Sequence, residues 1–270
     1  MSDAMYLCVT CGTQYPVEDA PPAHCPICED ERQYVNRKGQ QWTTLAQLHG
    51  AHTNTLTELI PGVTSIATSP RVGIGERALL LRTPAGNLLW DCVAYLDDAT
   101  VEAIQRLGGL AAIAISHPHF YTTMVDWSHA FGSVPIYIHA DNRPFVMRQD
   151  PVIQYFEGES VEPLSGLRVL RLGGHFAGSA VLHWPGATEG AGALFTGDTI
   201  KVVADPRWVT FMYSYPNDIP LGPRAIRRIV AAIEPLAFAR LYDGWDEVEG
   251  DAHDAVLRSA ERYLAHITES

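Results

Sequence analysis

Residues 111–122 read AAIAISHPHFYT: an apolar run that ends at Ser116 and passes straight into His117-Pro118-His119. So short a run of Ala and Ile, with glycines before it and a polar loop after it, predicts a buried strand. Two imidazoles therefore leave the end of a sheet, where α/β proteins place their chemistry. In an extended segment, residues two apart point the same way, so both rings can face one cation. Two later phrases repeat the arrangement. LGGHFAGS (172–179) holds His175 in a Gly-rich turn between strand-like runs, and LFTGDT (194–199) puts Asp198 just past another buried strand. Each residue alone is explained as a cap or a hydrogen-bonded turn. Four of them at strand ends, each beside Gly, Ser or Pro, are hard to assign to packing.

Working outward, ELIPGVTSIAT (58–68), RALLLRT (77–83) and NLLWD (87–91) around the turn PAG predict a strand and then a hairpin. Asp98 is expected to cap a helix through TVEAIQRLG, with Val101, Ile104 and Leu107 at helical spacing. After the histidine loop come a helix, the strand VPIYIH and a helix from Asp141. VIQYF, GLRVLRLG, SAVLHW and GALFTGD are expected to be strands of a second sheet. A helix over about 221–233, the strand AFARLYDG and a terminal helix over about 250–267 complete the reading. Strands in runs with helices between them predict sheets packed face to face with helices outside.

The chain has 270 residues, 47% hydrophobic and 19% charged, with a formal net charge of −12. Such a chain buries a large core and is neither disordered nor fibrous. The acidic balance opposes attraction to phosphate backbones and to anionic lipid, so a small-molecule substrate is expected, with no nucleic acid and no membrane. The start MSDAMYLCVTCG has no basic segment followed by a long apolar one, and no later window resembles a membrane span. A soluble, cytoplasmic protein is the expectation.

Of five cysteines, Cys8, Cys11, Cys25 and Cys28 form two CxxC pairs, and Cys92 stands alone in an apolar run, where it reads as a packing residue. In a reducing compartment that pattern favours four thiolates on one tetrahedral ion. Residues 1–35 are too short for a core of their own, and such an ion would supply the missing folding free energy. Zinc is favoured and iron is the alternative. LCVTCG and HCPIC resemble the knuckles of rubredoxin-like and zinc-ribbon modules, with Glu29 where the rubredoxin pattern has a second Gly. Residues 36–57 read as a polar linker over the body, with His49 and His52 at the surface.

Taken in order, LLWD, SHPH, GGHFAGSAVL and LFTGD resemble the motifs of the metallo-β-lactamase superfamily over roughly residues 58–265. The resemblance implies an α/β, four-layer αββα sandwich over 58–270, preceded by the small four-cysteine ribbon. It assigns Asp91 to the structural Asp after the early strand pair. His117 and His119 take the first histidines of the HxHxDH motif, His175 the middle His, and Asp198 the bridging carboxylate. The motif then departs: Tyr121 and Thr122 stand where Asp and His continue it, and Trp245 in LYDGWDE stands where the last His is expected. These three positions normally build the second metal site, so one ion is expected in the body. Asp126, His129 and Asp243 are the candidates to rebuild a second site from nearby.

For one zinc on His117, His119 and His175, the implied chemistry is hydrolysis of an ester, thioester or amide by metal-bound hydroxide. Asp198 would complete the coordination or act as general base, and Tyr121 would donate to a developing oxyanion. Lys201 reads either as a solvated surface residue or as a partner for a substrate carboxylate. Two other readings stay open: a non-haem iron oxidoreductase on His117, His175 and Asp198, as in persulfide dioxygenases of the superfamily, and a metal-binding or interaction module without catalysis. Pocket walls are expected from residues 66–76, 141–165 and 200–220, with the aromatic stretch DPRWVTFMYSYP among them.

Overall fold

The computed structural model describes residues 4–268. Among them a seven-stranded sheet runs, in spatial order, Ile153–Phe156, Ile136–His139, Ala112–Ala114, Gly86–Trp90, Arg77–Thr83, Val63–Ser69 and Thr53–Ile60. A six-stranded sheet runs Ser160–Leu164, Leu167–Arg171, Ala180–Trp184, Ala193–Gly197, Arg240–Asp243 and Glu247–Val248.

Strand periodicity explains the layers. In Arg77–Thr83, Leu79 and Leu81 face the space between the sheets, while Ala78 and Leu80 face the helices. Leu79, Leu81, Leu88 and Trp90 meet Leu167, Val169, Leu182 and Phe195 from the other sheet. On the outer face of the first sheet, Ile104 of the helix Asp98–Arg106 and Val125 and Trp127 of Met124–Ala130 cover Leu80, Leu89 and Ile113. Ile226, Ile229 and Ile233 of Pro223–Ile233 and Val256 of Ala252–Thr268 cover Val181, Leu194 and Leu241 on the other side. The order is αββα, as the resemblance implied.

Three local expectations change. VIQYF does not join the second sheet: Ile153–Phe156 pairs parallel with Ile136–His139 at the edge of the first. A short apolar run records burial, not which edge it joins. The cap of the first long helix is Asp97, whose carboxylate accepts from Thr100 N at 2.8 Å, and Asp98 is the first helical residue. The helix expected from Asp141 is a 3₁₀ stretch, Ala140–Phe145, with Pro144 inside it to deny it α-helical hydrogen bonds.

At the amino end, a three-stranded sheet orders Gln14–Glu18, Ala4–Cys8 and Trp42–Thr43, with the short helix Pro26–Glu29 beside it. Its third strand falls within 36–57, the stretch expected as a linker, and the body's first strand begins at Thr53, ahead of residue 58. The module is seated on the body. Gln14 N donates to Thr122 O at 3.1 Å, and a Cβ on Gly12 would stand 2.9 Å from that of Ala94.

The functional edge follows from the parallel pairs. Trp90 lies opposite Ala114 in one sheet and Phe195 opposite Tyr242 in the other, which brings four carboxyl-terminal strand ends to one side of the sandwich. Asp91, His117, Asp198 and Trp245 follow those ends.

Candidate metal centre

Asp91 sets the first ligands. Held at φ 61°, it accepts a hydrogen bond from Ser116 N at 2.7 Å and donates its own N–H to Ala114 O at 2.9 Å, which fixes where the chain enters the histidine loop. Burial pushes its carboxyl up to about 8. His117 follows, with Nδ1 2.9 Å from Ser116 Oγ and a buried Nε2 without a hydrogen-bond partner. The next residues, Pro118–Phe120, form a 3₁₀ turn rather than continuing extended. The two rings still converge, but through different atoms: His117 offers Nε2 and His119 offers Nδ1.

His175 leaves its turn after Gly173 and Gly174, at φ 64° and 89°. Its Nδ1 lies 2.8 Å from Tyr213 O, so that nitrogen carries the hydrogen and Nε2 keeps the free lone pair. Asp198 arrives from the second sheet behind Gly197, whose φ of 49° and contact with Ser116 leave no room for a side chain.

The four groups meet. His117 Nε2, His119 Nδ1 and His175 Nε2 lie 3.4, 3.9 and 3.8 Å from Asp198 Oδ2, and His175 Nε2 is 3.4 Å from His119 Nδ1. Ligands at zinc-like bond lengths on a tetrahedron stand about 3.3 Å apart, so one ion fits with small adjustments. Burial, with His117 nearby, holds His119 below the ordinary imidazole range, and burial with both neighbouring rings holds His175 well below it. Both effects favour the neutral, ligating form. Burial alone would raise Asp198, but the surrounding imidazoles reverse this and hold its carboxyl well below the usual range. Asp198 Oδ1 is buried without a partner.

Cys8, Cys11, Cys25 and Cys28 form the other such cluster among the described residues. Cys8 Sγ is 3.5 Å from Cys28 Sγ, and Cys11 Sγ is 3.7 Å from Cys25 Sγ. These separations are too long for disulfides and close to the roughly 3.8 Å between thiolates on one tetrahedral zinc. Gln40 Nε2 donates to Cys8 Sγ at 3.1 Å. Cys92 is fully buried in the body's core, with its thiol pushed up by burial, and takes no part in either cluster.

Several sequence candidates stand elsewhere. Tyr121 packs into the core, and its buried hydroxyl does not line the cavity at the site, so it is not placed to meet an oxyanion. The HPHF turn rotates it away. Thr122 donates to Cys92 O at 3.2 Å. Trp245, which the resemblance sets where the last His is expected, lines the cavity; its indole donates to Gly75 O at 3.0 Å and lies 6.0 Å from the Phe120 ring. Asp126 is bound to Arg148 at 2.6 Å and His129 lies 3.2 Å from Asp150. Asp243 accepts from the backbone N–H groups of Val202, Trp245 and Asp246 at 2.6–2.7 Å. None of these three joins the histidine cluster.

A cavity of about 340 Å³ opens over His119 and Asp198. Arg71, Gly73 and Ile74 come from the expected stretch 66–76, and Lys201, Tyr215 and Pro216 from 200–220. No lining residue comes from 141–165; the remaining wall is Arg32, Gln33 and Tyr34 of the cysteine module, with Trp245. Sequence reading missed these three, which stand in the charged phrase EDERQY without periodicity or motif. It also missed the role of Tyr215, whose hydroxyl donates to Asp198 O at 3.0 Å. In the aromatic stretch, Tyr215 lines the cavity, whereas Trp208 lies under Arg262, 3.6 Å from its ring centroid.

The chain is 47% identical over 262 residues to the uncharacterized protein YmaE of Bacillus subtilis (strain 168), covering 96% of this chain and 95% of that one. No family model matches. Among solved structures, TMB-1 superposes with a TM-score of 0.60 at 16% identity, over 80% of this chain and 99% of the other. DIM-1 metallo-β-lactamase gives 0.58 at 14%, over 78% and 98%. FIM-1 metallo-β-lactamase from Pseudomonas aeruginosa, in its mono-zinc form, gives 0.54 at 14%, over 78% and 96%. At these identities the likeness is one of fold, and the fold is that of the metallo-β-lactamases.

Proposed function

The chain belongs to the same family as YmaE of Bacillus subtilis, and from that premise and its fold we propose that it is a metal-dependent hydrolase of a small acyl substrate, an ester, thioester or amide, working with one zinc ion in the histidine site. A single observation carries the reading: His117, His119, His175 and Asp198 each bring a ligand atom within 4.8 Å of the others', close enough for three imidazoles to share one ion with Asp198 beside it, while Asp198 Oδ1 is left without a partner.

Zinc there supplies a Lewis acid that lowers the pKa of water from 15.7 to about 7. The chain's own residues do the rest. His117, His119 and His175 would hold such an ion, with the opposite ring nitrogens of His117 and His175 fixed by Ser116 and Tyr213. Asp198 Oδ1 accepts a hydrogen from the attacking water and orients its lone pair. Trp245 and Ile74 give the cavity apolar walls that keep bulk water from the reacting carbonyl. Lys201 has no carboxylate within 4.0 Å among the described residues and lies 5.3 Å from the Trp245 ring. It is available, with Arg71, to an anionic group on the substrate. The indole of Trp245 and the side chain of Thr122, which offer no strong metal lone pair, support one ion rather than two.

A second zinc, on the four cysteines, fits their spacing, and four free thiolates suit a reducing compartment such as the cytoplasm. Elemental analysis of protein purified without added metal, followed by an ester and thioester screen, tests the reading. Two zinc ions per chain, no visible absorption and turnover of an acyl substrate are expected. Iron in the body with visible absorption would replace hydrolysis by oxidative chemistry, and a body that retains no ion would leave a binding module.

A further inference from the structure

The cysteine module touches the histidine site from two sides, and both contacts end on His175. Arg32 follows Cys28 closely in the chain, and its side chain is only 14% exposed. Asp30 grips the guanidinium at Nε and Nη2, each at 2.6 Å, and the group lies 3.8 Å from the centroid of the Phe176 ring. From there Nη1 donates to His175 O at 3.3 Å. On the other side, the Tyr213 hydroxyl donates to the Glu31 carboxylate, and Tyr213 O receives the His175 Nδ1 hydrogen at 2.8 Å. Asn217 Nδ2 donates to Glu31 O at 2.8 Å and closes the clasp.

The small core of the module is the four cysteines with Tyr15 and Ile27, and Trp42, Phe145 and Met147 pack against it. An ion that draws those thiolates together therefore fixes the start of the segment that holds His175.

We propose that the four-cysteine module is a positioning element of the histidine site, coupled to it through Arg32 and Tyr213, so that an ion on Cys8, Cys11, Cys25 and Cys28 tightens the histidine site's hold on its own ion. The proposal rests on the reading of His117, His119, His175 and Asp198 as a metal site. Linkage makes the effect reciprocal: whatever factor the first ion adds to the second, the second adds to the first. The module is then part of the working site, since Arg32, Gln33 and Tyr34 also form one wall of its cavity.

The test is a Co²⁺ titration of the full-length protein holding zinc on the cysteines, followed through the d–d bands of the histidine site. Absence of thiolate-to-cobalt charge transfer shows that the cysteine site keeps its zinc. Arg32→Gln and, with the module ion lost, Cys28→Ser should each weaken Co²⁺ binding about tenfold, within the usual range of coupling between sites. Tyr213→Phe removes one hydroxyl, leaves the carbonyl on His175, and should weaken binding less while shifting the d–d bands at an unchanged melting temperature. If Cys28→Ser does not fold, Arg32→Gln and Tyr213→Phe decide the matter. Wild-type affinity and spectrum in both would overturn the coupling and leave the hydrolase reading intact. A wild-type histidine site that takes no Co²⁺ would overturn that reading and the coupling with it.

Discussion

Gly197 and Ser116 lie so close across the sandwich that a Cβ on Gly197 would stand 2.7 Å from the Ser116 Cβ. Gly197 ends a strand of one sheet and Ser116 follows a strand of the other, and each immediately precedes a candidate ligand, Asp198 or His117. Gly197 also holds φ 49°, where a side chain is strained even with space around it. Gly197→Ala should therefore cost about 2–4 kcal/mol, from left-handed strain and overpacking together. It should also separate Asp198 from His117. Chemical denaturation and metal content check this, and a variant that keeps both would mean the sheets can part without disturbing the site.

Asp198→Asn keeps the shape of the side chain while removing its charge and its ability to take a proton. Turnover of the best acyl substrate should fall by about 10²–10⁴, the usual size of a general-base contribution. Zinc should be held more weakly, with the fold unchanged by circular dichroism. Full activity in the Asn variant would move the base elsewhere in the cavity.

Glu76 is 3% exposed, and both its carboxylate oxygens are without partners. Burial pushes its carboxyl up to about 8, with Asp198 and Asp91 adding to the effect. The sign follows from linkage: the folded chain keeps a proton that the unfolded chain releases near the ordinary carboxyl range. The stability it contributes is present below about pH 4.5 and is lost as pH rises to about 8, at about 1.4 kcal/mol per unit. Glu76→Gln should flatten melting temperature against pH over that window and stabilise the protein most at its alkaline end. An unchanged profile would show that Glu76 is ionised in the fold.

His117→Ala combined with His175→Ala removes two of the four ligands at the sheet edge and none of the cysteines. Metal analysis should fall from two ions per chain to one, and the remaining ion should resist mild chelation. Loss of both together would mean that removing the body ligands also strips the cysteine site, and that the ions are bound far more cooperatively than the contacts through Arg32 and Tyr213 suggest.

Much of this was legible in the chain because the signals are local. AAIAIS, GLRVLRLG and LFTGD announce buried strands by composition, and their ends carry the candidate ligands, so His117, His119, His175 and Asp198 can be named without coordinates. The paired CxxC spacing marks the cysteine cluster in the same way, since close sequence spacing already limits how far apart the thiols can stand. Tyr121 shows where that reasoning stops: one residue beyond the HPHF turn, its direction depends on a 3₁₀ twist that no pattern of residue types records. VIQYF shows a second limit, since its apolar run fits an edge of either sheet.

Residue chemistry over short stretches thus determined the packed sheets with helices outside and both clusters of candidate ligands, because each depends on a few neighbouring side chains. Tertiary structure alone decided that Arg32, Gln33 and Tyr34 wall the cavity, that Tyr213 turns His175, and that Gly197 must be bare. Those facts join segments far apart in sequence, and long-range contact is settled by the packing of whole layers rather than by the preferences of the residues that meet.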